Sequence, residues 1–298
     1  MRKIRMKKLA AITGILLMFC AVAAFGQVRI GIDGAVEWDK MEINAVVSLD
    51  LASAGLKLPS GRTQGEAIMT SEYLRLIRPG LFNIQVDSSS TIKDLVLREE
   101  WSLQEVESLA LQATTVPAAH SQDLRLLSSS YTLGIDGISA AFIRHSRPTQ
   151  LQRTLSPVAA PSYTGIIILA AESLPVHGRN VAALPLPCLF PKVWDNDMNL
   201  IFEKNMLNPG TNAMVRYFHV RDIFSGGPSG LSPEIAAVVG SHPLRIVAQG
   251  VFGIFPTDPI ISREDALLII SNDENRRLFN EGRVVIILNE SVLKEPLE

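Results

Sequence analysis

The chain has 298 residues, 47% of them hydrophobic and 19% charged, which supplies a packed core and excludes a globally disordered chain. Two cysteines exclude a scaffold built on disulfides. Five of the 28 basic residues lie within the first eight positions, leaving 23 basic against 30 acidic residues, a net of −7 and the wrong sign for a nucleic-acid binder.

Arg2, Lys3, Arg5, Lys7 and Lys8 make a positive start, residues 9–25 are apolar, and Ala24-Phe25-Gly26 offers small residues at a cleavage site. This order predicts a secretory signal peptide over 1–26, and so an exported chain in the periplasm or on the periplasmic face of the outer membrane. An uncleaved anchor is one alternative, since about 17 apolar residues reach the lower limit for a membrane span. Lipidation at Cys20 is another, with bulky Phe19 before the cysteine and apolar residues after it as arguments against. If Cys20 leaves with the signal, Cys188 is the one remaining thiol and the fold rests on its core.

Alternating Met41, Ile43, Ala45, Val47 and Leu49 predict a half-buried strand over 38–51. Pro59-Ser60-Gly61 marks a turn. Ala67, Ile68, Leu74, Ile77 and Leu81 predict a helix over 62–82 whose last turn Pro79-Gly80 kinks or separates. Residues 85–90 read as a turn rich in candidate helix caps, 104–112 as a short helix, and 124–135 as a strand. The span 27–147 therefore reads as an α+β domain, followed by a proline-rich linker over 148–162.

A second α+β domain is expected over 163–298. It opens with a strand at 163–171 and a crossing at 172–190. A hairpin (193–196 and 200–204) surrounds Asp195-Asn196-Asp197-Met198-Asn199. A strand at 214–220, a glycine-rich loop at 226–230, a helix at 232–239 and a strand at 244–249 follow. Ser262-Arg-Glu-Asp265 has a capping pattern and opens a helix that breaks near Asn272-Asp273 and resumes through 276–280. The apolar run at 283–288 has the character of a strand buried on both faces. The expected fold is α+β, with two small domains, each a mixed or antiparallel sheet with helices packed on it.

Tyr163-Thr164-Gly165-Ile166-Ile167-Ile168, residues 187–195 and Leu200-Ile201-Phe202 occur in an order similar to blocks of FlgP-like proteins and related bacterial outer-membrane lipoproteins. His242-Pro243-Leu244-Arg245-Ile246-Val247-Ala248, residues 259–266 and Gly282-Arg283-Val284-Val285-Ile286 continue the resemblance, which covers 163–288. The family's Asp-Ala-Arg-Gly is replaced by Leu169-Ala170-Ala171-Glu172, with 174–178 inserted after it. The resemblance implies a structural or accessory envelope component, some of whose relatives accompany flagellar motors, and no enzymatic activity.

Residue chemistry taken alone assigns no catalytic, cofactor-binding or metal-ligating residue. Asp195, Asp197 and Asn199 share the spacing of a calcium loop, but Leu200 and Met206 stand where it needs glycine and glutamate, so a hydrogen-bonded turn is expected. His177 and Cys188 are two soft donors where a structural zinc site takes four. Residues 226–230 lack the Lys-Ser/Thr ending of a phosphate loop, and no nucleophile elbow occurs. His120, His145, His219 and His242 are scattered. Trp194 is expected inside the hairpin packing and Trp101 as an exposed contact.

The expected function is that of a non-enzymatic exported protein of an outer-membrane or flagellum-associated assembly. Its expected partners are envelope or flagellar proteins, with self-association as a further option and no nucleic acid. The alternative is a periplasmic binding module for a small ligand or cell-wall glycan, its mouth at 172–190 or 225–230.

Overall fold

The computed structural model describes residues 28–57, 59–151, 154, 156–223 and 230–297. The leader, Cys20 and most of the glycine-rich loop lie outside them. Strands β1 (Ile30–Glu37) and β2 (Glu42–Asp50) pair antiparallel along their whole length. The expected strand at 38–51 is thus β2 preceded by a turn, with Met41 at φ 54°. Strand β1 was not anticipated, because Gly34 interrupts the alternation of Ile30, Ile32 and Val36.

Helix α1 (Gly61–Asn83) covers the inner face of this sheet. Its buried ridge runs through Gly61, Gly65, Met69, Tyr73, Ile77 and Leu81, each four residues from the last. The expected face was partly wrong, since Ala67 is exposed and Ile68 and Leu74 are only half-buried. Glycine carries no apolar signal, yet it sets this contact: a Cβ on Gly65 would lie 2.7 Å from Leu127 Cδ2. About two turns further along the face, the rings of Tyr73 and Tyr131 stack with centroids 4.0 Å apart. The helix runs through Pro79 without a break.

Residues 85–91 form a small hairpin, β3 (Gln85–Asp87) and β4 (Ser90–Thr91), where only a turn was expected. Thr91 and Ser102 then cap α2 (Ile92–Leu97) and α3 (Leu103–Ala110), each in a reciprocal capping box. Strands β5 (Thr114–His120) and β6 (Leu126–Gly134) complete the order β1-β2-β6-β5, and α4 (Ile135–Phe142) follows.

The second half begins with β7 (Ile166–Leu169), a short hairpin of β8 (Leu174–Pro175) and β9 (Ala182–Ala183), and the expected hairpin of β10 (Val193–Asp195) and β11 (Leu200–Phe202). Next come β12 (Arg216–His219), α5 (Val220–Ile223) and α6 (Pro233–Val239), the last capped by Ser232. Strands β13 (Leu244–Val247), β14 (Gly250–Phe252) and β15 (Asp258–Ile261) precede α7 (Arg263–Ile270) and α8 (Asp273–Asn280). Asn272 caps α8, as the predicted break requires. Strand β16 (Val284–Leu288) is buried throughout.

Two sheets result. One is mixed, in the order β11-β10-β15-β14. The other, β12-β16-β7-β13, is parallel throughout, a second sheet beyond the one mixed or antiparallel sheet expected for this domain. Its strands follow one another through long crossovers; the central pair, β7 and β16, is buried on both faces, the usual condition of parallel strands, while edge strand β13 exposes Arg245 and Val247. Ile166, Ile168, Val284 and Ile286 face the main core, while Ile167, Val285 and Ile287 face a second cluster with Ile235 and Val239.

The YTG block has a packing role. Thr164 Oγ1 donates to Val239 O at 2.7 Å and accepts from His242 N at 2.9 Å, closing the end of α6. Gly165 lies against that same turn, where a Cβ would fall 2.4 Å from Val239 Cα. The linker is held by Asn275, a fully buried side chain on α8. Its Oδ1 accepts from Tyr163 N at 2.9 Å, and its amide donates to Pro161 O and Leu268 O.

The chain thus forms two α+β domains, but their cores merge into one cluster. Strand β17 (Lys294–Pro296) leaves the second domain and pairs antiparallel with β1 over Ala35–Glu37, so the boundary at 163–298 takes in a strand of the first sheet. Leu293 O accepts from Trp38 N at 2.9 Å, and Leu297 N donates to Gly34 O at 3.0 Å. Gly80 makes room for this strap, since a Cβ there would sit 2.4 Å from Leu297 Cδ2.

Candidate functional site

Among the described residues, polar side chains gather between the domains in a buried seam and in an open cleft. The hairpin β3–β4 docks into the second domain, with Gln85 O accepting from Leu189 N, Val86 O from Phe190 N and Ser88 O from Phe255 N, at 2.9–3.0 Å. Behind it lies Asp258, fully buried at the start of β15. Its carboxylate accepts from Lys192 N at 3.0 Å, Thr257 Oγ1 at 3.0 Å and Trp194 Nε1 at 3.4 Å. Burial still pushes this carboxyl above the usual carboxylate range, against the pull of its donors.

Cys188 is buried in the same seam, and burial, with Asp258 nearby, pushes its thiol well up. Tyr217 donates its hydroxyl to Cys188 O at 2.8 Å and accepts from Cys188 N at 3.1 Å. Its ring meets Trp38 of the first domain edge-on at 5.9 Å. A protonated thiol, a phenol engaged by backbone and a carboxylate surrounded by donors make a packed polar joint between the domains.

The second place is open to solvent, a cleft of about 380 Å³ at the carboxyl ends of β12 and β16. Ligands of open parallel sheets bind at this end of the strands. His219, Arg221 and Glu290 line one wall, and Glu37, Lys40 and Lys294 the other. Arg221 reaches Glu290 at 2.8 Å, and His219 Nε2 lies 3.8 Å from the same carboxylate. His219 Nδ1 accepts from Arg221 N at 3.0 Å, which leaves Nε2 to carry the ring proton toward Glu290. Opposite, Lys40 and Lys294 both bond Glu37 and hold its carboxyl below the usual range. Each wall pairs opposite charges from segments distant in sequence, Asp39 and Asp222 add two further carboxylates to the lining, and the Lys294–Glu37 pair ties the strap to β1.

The residues singled out by sequence fall elsewhere. Asp195 Oδ1 accepts from Asp197 N and Asn199 N at 3.0 and 2.8 Å, and Asp197 pairs with Arg263, so the acidic turn spends its oxygens on itself and a neighbour. His177 is exposed beside Phe252, whereas Cys188 is buried in the seam. His145 bonds Leu207 O at 2.7 Å, and His242 stacks on Tyr163. Trp194 packs edge-on against Phe252 within the hairpin region. Trp101 is not an exposed contact: it is 2% exposed, with its ring 4.1 Å from that of Phe142, because α3 and α4 close over it. Of the 172–190 crossing, 176, 185 and 187–190 are buried, while the glycine-rich loop lies outside the described residues at 224–229.

Sequence reading missed both gatherings. The cleft assembles residues near positions 37, 219 and 290. The proline-rich crossing that carries Cys188 was the one visible hint of the seam.

Comparison with known proteins divides the chain where the structure does. Among curated proteins none matches. Residues 29–141 match the family model described as Treponema pallidum Tp0624, N-terminal domain. Residues 165–290 match the one described as Treponema pallidum Tp0624, second domain. Both matches stop short of β17, so the chain is, over its two halves and in the same order, similar to the first two domains of Tp0624, with the strap outside both matched spans.

Proposed function

We propose that the protein is an exported, non-enzymatic component of a bacterial envelope assembly, at the outer membrane or beside a flagellum, and that it works by binding other proteins. One observation carries this reading: among the described residues, the first sheet is covered on one face only. Helix α1 buries the inner face. The outer face of β1, β2, β6 and β5 presents Asp33, Asn44, Val46, Ser48, Ser130, Thr132 and Val116, half-buried or exposed. Ser48 bonds Ser128 at 2.8 Å and Thr132 bonds Asn44 at 2.8 Å, so short side chains are tied down into an open platform, with a hollow of about 380 Å³ among Asp33, Asn44, Val46, Ser130 and Thr132. An open surface with its side chains already ordered suits contact with another macromolecule better than enclosure of a small one.

The signal-like leader and the resemblance of 163–288 to FlgP-like envelope proteins support the compartment. Crosslinking and pull-down from native envelopes test it. Stable capture of outer-membrane or flagellar proteins is the expected result; a freely soluble monomer with no envelope neighbour would overturn it.

The charged cleft favours a second reading, a module for a small charged ligand. Saturable binding abolished by Arg221→Ala together with Lys294→Ala would establish that reading in its place.

A further inference from the structure

The two edges of the first sheet are treated differently. On the β5 edge, Pro117 and a register shift between Val116 and Ala119 interrupt the ladder, and both features discourage a further strand. On the other edge, the strap pairs with β1 only from Ala35 to Glu37, its last bond running from Leu297 N to Gly34 O. On this outer side residues 29–33 have no strand beside them among the described residues, and they contain neither proline nor lysine.

Backbone direction along this stretch is fixed at both ends. Arg29 O accepts from Asp50 N, so residue 29 points toward β2; Gly34 O accepts from the strap, so residue 34 points away. Alternation between them turns the N–H and C=O of Ile30 and Ile32 outward. The side chains of Ile30 and Ile32 are half-buried against the core, while Arg29, Gly31 and Asp33 are exposed.

We infer that this edge pairs with itself, joining two copies of the chain through antiparallel β1 strands about a twofold axis at Gly31. The register is self-complementary. Ile30 lies opposite Ile32 of the partner subunit, so both outward-facing residues enter hydrogen-bonded pairs and the two half-buried isoleucine stripes become one. Arg29 lies opposite Asp33 of the partner subunit, and symmetry repeats this ion pair. Any other register with an outward residue opposite an outward residue loses one of these matches. The pairing makes one continuous sheet from two and joins both open platforms on one side. This inference rests on the association reading and names one partner, a second copy.

At the axis, Gly31 meets Gly31 of the partner subunit in a pair without hydrogen bonds, where Cα atoms stand about 4.5 Å apart, within disulfide range. A Cβ on Gly31 meets nothing within 4 Å, so Gly31→Cys leaves the fold intact. Under mild oxidation the exported chain carrying Gly31→Cys is expected to form a covalent dimer in high yield, while Val46→Cys, exposed on the platform but one strand from the edge, does not. In sedimentation equilibrium, Arg29→Asp or Asp33→Arg alone is expected to weaken the dimer about tenfold, because each turns two ion pairs into like-charge contacts. The two changes combined restore it.

A protein that stays monomeric while envelope neighbours are still captured would overturn the self-pairing and leave the association reading standing. A dimer indifferent to both charge changes, or Gly31→Cys crosslinked only to another protein, would also overturn it.

Discussion

Asn275 offers the sharpest test of how the linker is held. It is fully buried, and one side chain joins Pro161 and Tyr163, at the linker's end, to α8 and to Leu268 O of α7. Asn275→Ala abandons one backbone N–H and two carbonyls. All three bonds are only part-buried, so water reaches the orphaned groups and each loss falls near the net value of about 1 kcal/mol, giving about 3 kcal/mol in all. For a chain of this size about 1 kcal/mol moves Tm by about 2 °C, so the midpoint is expected to drop by about 6 °C. Circular dichroism melts measure this, and limited proteolysis within 148–162 reports whether the linker has come loose. Asn275→Asp keeps the acceptor for Tyr163 N and loses the amide donors, so it is expected to be impaired in the same way. A melt within about 1 °C of the parent, with no new cleavage, would refute the idea that this residue fixes the linker.

Gly165→Ala drives a Cβ into the backbone of Val239 and is expected to cost about 1–3 kcal/mol in urea denaturation, since the end of α6 must move as a unit. Because burial raises the Asp258 carboxyl, the native state holds its proton to higher pH than the unfolded chain, whose ordinary value is near 3.8. From that pH upward the unfolded chain binds fewer protons, so this group lowers stability as pH rises toward its native value. Asp258→Asn removes that contribution: stability measured in urea from acid to neutral pH is expected to fall less, or rise more, than in the parent, and an unchanged slope would count against it. Cys188 is expected to resist a thiol reagent in the folded exported chain and to react with one equivalent once unfolded in guanidinium; rapid native labelling would contradict its burial.

Much of the second domain was legible because its elements announce themselves locally. Val284–Leu288 is apolar at every position, Ser232 and Ser262 are helix caps, and Asn272 breaks one helix and starts the next. The first domain was harder to read. Glycines rather than apolar residues define the contact line of α1, and β5, four of whose first residues are exposed, shows no alternation. Burial of Trp101 depends on α4, an element that follows a strand without any turn residue but Gly134. The polar gatherings were least legible of all, since a cleft joining Glu37, His219 and Glu290 exists only once three separate strand ends are brought level.

The strap has a consequence for the order in which the chain acquires its shape. Ala35 pairs with Pro296, so the first strand to be made waits for one of the last. Contacts of such long separation are slow to form, because the entropy of closing the intervening chain must be met before they stabilise anything. A chain emerging from its N-terminus therefore completes the β2, β6 and α1 part of its first domain early and carries a bare β1 edge until nearly all of the second domain has followed. During that interval the whole length of β1 is available to strands of other chains, and a helper that occupies it, or rapid docking of β17, decides between assembly and misassembly.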